Sequence, residues 1–194
     1  DLGIVSFLFF AGLFLAVGEV CNMVGVVMAV PISRRIGKRS TFAVSCIGMA
    51  ILSCFFFYLP CTNVGFVTML LLQILISVCT GIISPLIWSM YADVADYAAI
   101  KDNTSSTGLI FSSGSMAQKF GGAIAGSAVL WLFASFGLVP NALHQTDSAI
   151  LGMKLTMSYI PAVVAVIMVV IMVVYPLTKS KMKDINAKLK DIRK

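Results

Sequence analysis

The chain has 194 residues, 59% hydrophobic and 11% charged, with a mean hydropathy of +0.99. A soluble domain of this length needs more polar surface, and the apolar residues come in runs of about 20, so an all-α polytopic membrane helix bundle is expected. The net charge of +6 is concentrated in one short loop and the C-terminal tail, the pattern of membrane flanks rather than of a nucleic-acid surface.

The sequence opens at Asp1, without Met or a basic region ahead of an apolar stretch, so neither a signal peptide nor a natural start is read there. The first span is expected at 4–32. It contains Glu19, with Asn22 one turn on; the carboxyl could pair with a lysine on a neighbouring span or be held protonated. "PISRRIGKRS" follows, carrying Arg34, Arg35, Lys38 and Arg39. The second span, 41–59, is apolar around most of its circumference and leads into an uncharged loop, "PCTNV".

The third span, 64–88, is different. Gln73, Ser77, Thr80 and Ser84 are spaced by 4, 3 and 4 residues and share one helix face, which Trp88 continues. The polar stretch "MYADVADYAAIKDNTSSTG" then places Asp93 and Asp96 three residues apart at the end of a helix. Two carboxylates there repel one another and meet the negative end of the helix dipole. Either the helix breaks and one Asp caps a new turn, or cations compensate. The local loop offers only Lys101, next to Asp102, so the cations are expected from an absent upstream region, forming a latch at the cytoplasmic mouth.

The fourth span, 107–136, carries Ser112, Ser115 and Lys119, then Gly122 and Gly126. "GGAIAG" reads as a helix-packing surface. Lys119 would lie about 20 Å along the helix, where an unpartnered lysine costs on the order of 2.5 to 3.5 kcal/mol. It is expected to share one wet hollow with the hydroxyl row of the third span. The connection holding His144 and Asp147 has no Lys or Arg. The fifth span, 151–177, suits lipid contact, with a bend expected at Pro161.

Residues 1–178 are thus read as a bundle of five spans and 179–194 as a basic tail, with Met182, Ile185, Leu189 and Ile192 at helical spacing. Both basic clusters fall on one side, which the positive-inside rule makes cytoplasmic, leaving the N-terminus outside. An odd number of spans with an external start and no signal suggests a fragment. Cys21, Cys46, Cys54, Cys61 and Cys79 have no metal-ligand spacing and read as small buried hydrophobes; no metal or cofactor is expected.

"ADVADY", "STGLIFSS", "AQKFGGAIAG", "GLVPN", "QT" and "SYIPA" together resemble the glycoside–pentoside–hexuronide:cation symporters, the melibiose-permease-like branch of the major facilitator superfamily. "RRIGKR" resembles the loop motif of that superfamily, with Arg34 at its acidic position. The likeness covers essentially the whole chain and corresponds to helices 8–12 of a twelve-helix transporter. It implies cation-coupled symport of a sugar or glycoside by alternating access, with an N-terminal six-helix bundle as partner. The coupling cation, sodium or proton, would bind mainly in that missing bundle. The location implied is a bacterial inner membrane with a cytoplasmic C-terminus.

By position in the family motifs, the resemblance places Lys119, Ser115, Gly114 and Ser84 near bound sugar. Gln73 lies on the same stripe, and Trp88 could supply the aromatic that the family often has where Ser84 stands. Asp93 and Asp96 match family aspartates thought to close the cytoplasmic gate. The sequence departs from the family where Ala98 and Ala99 follow Tyr97 and where Ser105 replaces an Arg, which weakens the charge network of that gate. Three other readings were weighed: a carrier of a lipid or drug, an intramembrane enzyme using Asp93 and Asp96 as a catalytic pair, and a non-transporting scaffold. The hydroxyl stripe disfavours the first, and the placement of both carboxylates on one helix end disfavours the second.

Overall fold

A computed structural model describes residues 2–59, 63–102, 106–140, 142 and 145–192. Cys61, Ser105 and His144 lie outside the described residues, as do the side chains of Leu189 and Ile192. Seven α-helices are described: α1 Leu2–Ile36, α2 Lys38–Phe56, α3 Asn63–Asp102, α4 Thr107–Ser135, α5 Asp147–Met157, α6 Tyr159–Val174 and α7 Lys179–Ile192. Four stretches, Phe9–Ile36, Lys38–Phe56, Val64–Lys101 and Asp147–Val174, are long and apolar enough to cross a membrane. The chain is a multi-pass membrane protein. α4, at 29 residues, has the length of a span, but Gln118 and Lys119 interrupt its apolar run.

α3 is the centre of the bundle and packs on α1, α2, α4 and α7. Its 40 residues make a rod of about 60 Å, twice the hydrocarbon thickness. The polar stretch from Met90 is therefore no loop. It continues the helix to Asp102, and neither Asp93 nor Asp96 caps a new turn. The alanines there favour helix, and once the helix leaves hydrocarbon its polar residues cost nothing.

α2 is the most buried of the four candidate spans, although Val44, Ile47, Ile51 and Phe55 remain exposed along one side. Its Phe42, Cys46 and Met49 form the core with Ile83 and Leu86 of α3 and Ala165 of α6. α6 exposes most of its valines and isoleucines, as its composition suggests, while Val169 packs against the core. The last apolar stretch is divided at Ser158, three residues before Pro161. Proline has no N–H for the carbonyl four residues back, the Ser158 N–H turns to Leu155 O at 3.3 Å, and the Ser158 hydroxyl donates to Lys154 O.

The closest helix approach is between α1 and α3. A Cβ on Gly81 would collide with the Asn22 carbonyl oxygen, and one on Gly25 with the Val78 carbonyl oxygen. Beside this crossing, Asn22 Nδ2 donates to Thr80 Oγ1 at 3.3 Å and to Ser77 O at 3.5 Å. By contrast, nothing within 4 Å would meet a Cβ on Gly121, Gly122 or Gly126. The "GGAIAG" segment is not a packing seam among the described residues; the two glycines of the α1–α3 crossing are.

One residue, Gly37, joins α1 to α2. Its φ of +91° is left-handed backbone, which glycine adopts without strain. Three basic side chains close this joint from different directions. Lys179 Nζ donates to the last carbonyls of α1, Arg34 O at 2.8 Å and Arg35 O at 3.0 Å. Arg39 donates to Val173 O at the end of α6, at 2.7 Å. Cations at helix C-termini meet both unpaired carbonyls and the negative dipole end. Lys38, the third, reaches α3. The tail helix α7 buries Ile185 and packs against α3.

Candidate functional site

α4 leans on α3 through its N-terminal half, and Gly114 is its buried residue. A Cβ there would lie 2.5 Å from Cε2 and 2.8 Å from Cζ of Tyr91, so the bare glycine lets the Tyr91 ring stand against the helix. Trp88 meets Tyr91 edge-on at 5.8 Å and 85°, and stacks over Phe111 of α4 at 6.3 Å and 13°. These aromatics flank a cavity of about 470 Å³, whose polar lining comes from Thr80, Ser84 and Gln118 and whose floor includes Met49 and Met168. Hydroxyl, amide and aromatic groups on one wall suit a ligand with polar edges and apolar faces.

The residues singled out in the sequence divide into three places. Ser84, Trp88 and Gly114 come together in this cavity. Ser115 and Lys119 do not. With Ser112, Met116 and Phe120 they line a groove on α4 alone, about 120° around the helix from the Gly114 face. Gln73 is a third case: its amide donates to Ser77 Oγ at 3.4 Å and lies against Gly18 of α1. The upper part of the α3 stripe is thus an α1–α3 packing seam, and the shared hollow for Lys119 and the whole hydroxyl row is not formed within this chain. Glu19 and Lys119 are both exposed, and neither makes an ion pair or hydrogen bond among the described residues.

Tyr91, Gln118 and Phe111 were not singled out beforehand. Tyr91 had a signal, since it follows Trp88 by three residues and shares its face. Gln118 was overshadowed by Lys119 beside it, and Phe111 looked like any apolar residue. The arrangement predicts that Gly114→Ala displaces the Tyr91 ring and costs about 1–2 kcal/mol by overpacking. In a Trp131→Phe background, the fluorescence of Trp88 should shift, whereas Gly121→Ala should leave it unchanged. An unchanged spectrum for Gly114→Ala would refute the contact.

At the far end of α3, Lys38 Nζ meets both carboxylate oxygens of Asp93, at 2.7 and 2.8 Å, and also Ser89 O at 3.3 Å. Asp93 is therefore compensated from the "RRIGKR" turn of this same chain and not by an upstream region. Its side chain is 12% exposed and that of Lys38 36%. Asp96 is half-buried and makes no ion pair or hydrogen bond among the described residues. Nearby, the Tyr175 hydroxyl is buried without a hydrogen-bond partner among those residues. They include no cluster of His, Cys, Asp and Glu able to hold a metal.

Comparison with known proteins gives these features a context. The chain is 29% identical over 188 residues to a protein of Escherichia coli (strain K12) named "Glucuronide carrier protein homolog", covering 94% of this chain and 40% of that protein. It is 24% identical over 176 residues to the "Putative glycoside/cation symporter YagG" of the same organism, covering 91% of this chain and 38% of the relative. The chain thus spans about two fifths of the length of these relatives. The profile of MFS/sugar transport proteins matches residues 4–179, nearly the whole bundle. With helices of spanning length and a match over nearly the whole of the bundle, the chain belongs to the MFS/sugar transport protein family.

Proposed function

We propose that this chain supplies one wall of a secondary active carrier, a cation-coupled symporter of a sugar or glycoside working by alternating access. The observation that carries the reading is the cavity between α3 and α4, where Trp88 and Tyr91 stand beside Thr80, Ser84 and Gln118. An aromatic face packs on the apolar face of a pyranose ring, while hydroxyl and amide groups bond its equatorial hydroxyls. The names of the relatives, a glucuronide carrier homologue and a glycoside/cation symporter, point the same way.

In this reading the exposed face of α4 turns toward an N-terminal six-helix bundle, which completes the cavity and holds the coupling ion, sodium or proton. Lys119 and Ser115 then line the second wall. The ammonium would bond sugar hydroxyls or a uronate carboxylate, which gives its exposed position a purpose that lipid contact would not. Movement of one bundle against the other exposes the cavity to each side in turn. Asp93 is held by Lys38, which ties α3 to the α1–α2 joint, so Asp96 is the gate carboxylate free to reach the opposite bundle. In the same reading that end and the C-terminus lie on the cytoplasmic side of a bacterial inner membrane, which the basic turn and tail support through the positive-inside rule.

Counterflow of a labelled glycoside tests this, using the chain joined to its N-terminal bundle. Trp88→Ala should lower glycoside affinity about tenfold, the worth of one stacked ring. Lys119→Ala should reduce uptake of a glucuronide more than that of a neutral glycoside. Unchanged affinity in Trp88→Ala would remove the cavity from the substrate path. Equal effects on both glycosides would remove the charge role of Lys119.

A further inference from the structure

A second recess among the described residues has no part in the proposed sugar path. It lies beside the α1–α2 joint, with a volume of about 720 Å³, and is bounded by that turn, the end of α3 and the start of α7. Arg34, Lys38, Arg39, Lys179 and Lys183 line it against a single carboxylate, that of Asp93. Lys38 neutralises that carboxylate. Arg39 and Lys179 bond only backbone carbonyls, so their charge is not cancelled. Arg34 and Lys183 are exposed, and their side chains have no ion pair or hydrogen bond among the described residues.

Two further features favour an anion. Ser40, Thr178 and Ser180 add hydroxyls to the lining. α2 begins at the recess with no acidic residue in its first turn and no side-chain cap, so its first N–H groups lack a side-chain acceptor. Ile36, Leu177 and Met182 supply an apolar border. The position decides the source of the anion. The recess lies at the ends of the candidate spans that finish at Ile36 and Val174 and of the one that begins at Lys38, and the ends of spanning helices meet lipid headgroups.

From this geometry we infer that the recess is a binding site for the phosphate of an anionic phospholipid headgroup. The phosphodiester sits among Arg34, Lys183 and the start of α2, and its acyl chains follow the apolar border toward the spans. Because the recess is built from α1, α2, α3 and α7 together, an occupied site ties the joint to the tail helix.

Retention of phosphatidylglycerol by the purified 194-residue chain in neutral detergent, counted by native mass spectrometry, provides the test. Phosphatidylcholine and inorganic phosphate serve as comparison ligands. Wild type should retain phosphatidylglycerol selectively, and less of it as salt rises. Arg34→Gln/Lys183→Gln should weaken retention roughly 25-fold, about fivefold for each charge removed. Lys101→Gln/Lys154→Gln, with the same loss of charge away from the recess, should retain the lipid. Among the described residues neither Arg34 nor Lys183 makes a side-chain bond, so the lipid-free thermal midpoint should be unchanged in that variant. Equal retention by both double variants would overturn the site. Equal retention of phosphatidylcholine, or displacement of the lipid by inorganic phosphate at equal concentration, would overturn its assignment to an anionic lipid.

Discussion

Gly81→Ala is expected to lower stability by about 3 kcal/mol, the upper end of the cost of forcing extra volume into a packed site. The added Cβ meets the Asn22 carbonyl oxygen and the Gly25 Cα, which are backbone and cannot rotate aside. α1 and α3 must therefore separate along their length, loosening the Asn22 bonds to Ser77 and Thr80 as well. Gly122→Ala is the matched comparison, since open space surrounds that position. There the substitution should stabilise the helix by up to about 1 kcal/mol through propensity alone. Thermal unfolding of both variants in the same detergent separates packing from propensity. Equal shifts would show that the α1–α3 crossing is looser than described.

Lys38→Met is expected to cost about 2 kcal/mol. Breaking a fully buried ion pair costs 3–5 kcal/mol, but Lys38 is a third exposed and solvent screens part of the loss. Asp93 would remain, mostly buried, with its charge unmatched. The double variant Lys38→Met/Asp93→Leu removes that charge and should recover most of the loss, whereas two independent sites would simply add. A double variant no more stable than Lys38→Met would show that the pair does not couple. Asp96→Asn should leave the unfolding midpoint unchanged, because Asp96 has no bonded partner among the described residues.

Apolar runs made the helices readable, because hydrocarbon leaves the backbone few alternatives to helix. The extent of α3 was hidden by the equation of polar residues with a loop. A helix that leaves the membrane keeps its backbone pattern while its side chains change character, and "ADVADYAAIKD" has no glycine or proline to stop it. The single face shared by Gln73, Ser77, Thr80 and Ser84 was legible from spacing. Which helix each of them meets was not, since that depends on how α1 and α4 cross α3. The Lys38–Asp93 pair, 55 residues apart, likewise leaves no local trace. The basic turn carried a clear topological signal that masked its bonding role. The glycine-rich segment of α4 meets no neighbour among the described residues, because composition marks where close approach is permitted and not where a neighbour stands.

The clasped joint after α1 has a consequence for the order in which the molecule is completed. Gly37 and the helices on either side are made well before the group that satisfies the last carbonyls of α1, which comes from Lys179, up to 145 positions later in the chain. Arg39 waits in the same way for Val173, 134 positions downstream. The turn can be threaded into the membrane at once, but it is locked only when residues 173–179 have been made. Translation halted before residue 173 would leave an inserted hairpin whose hinge is still open to quality-control proteases.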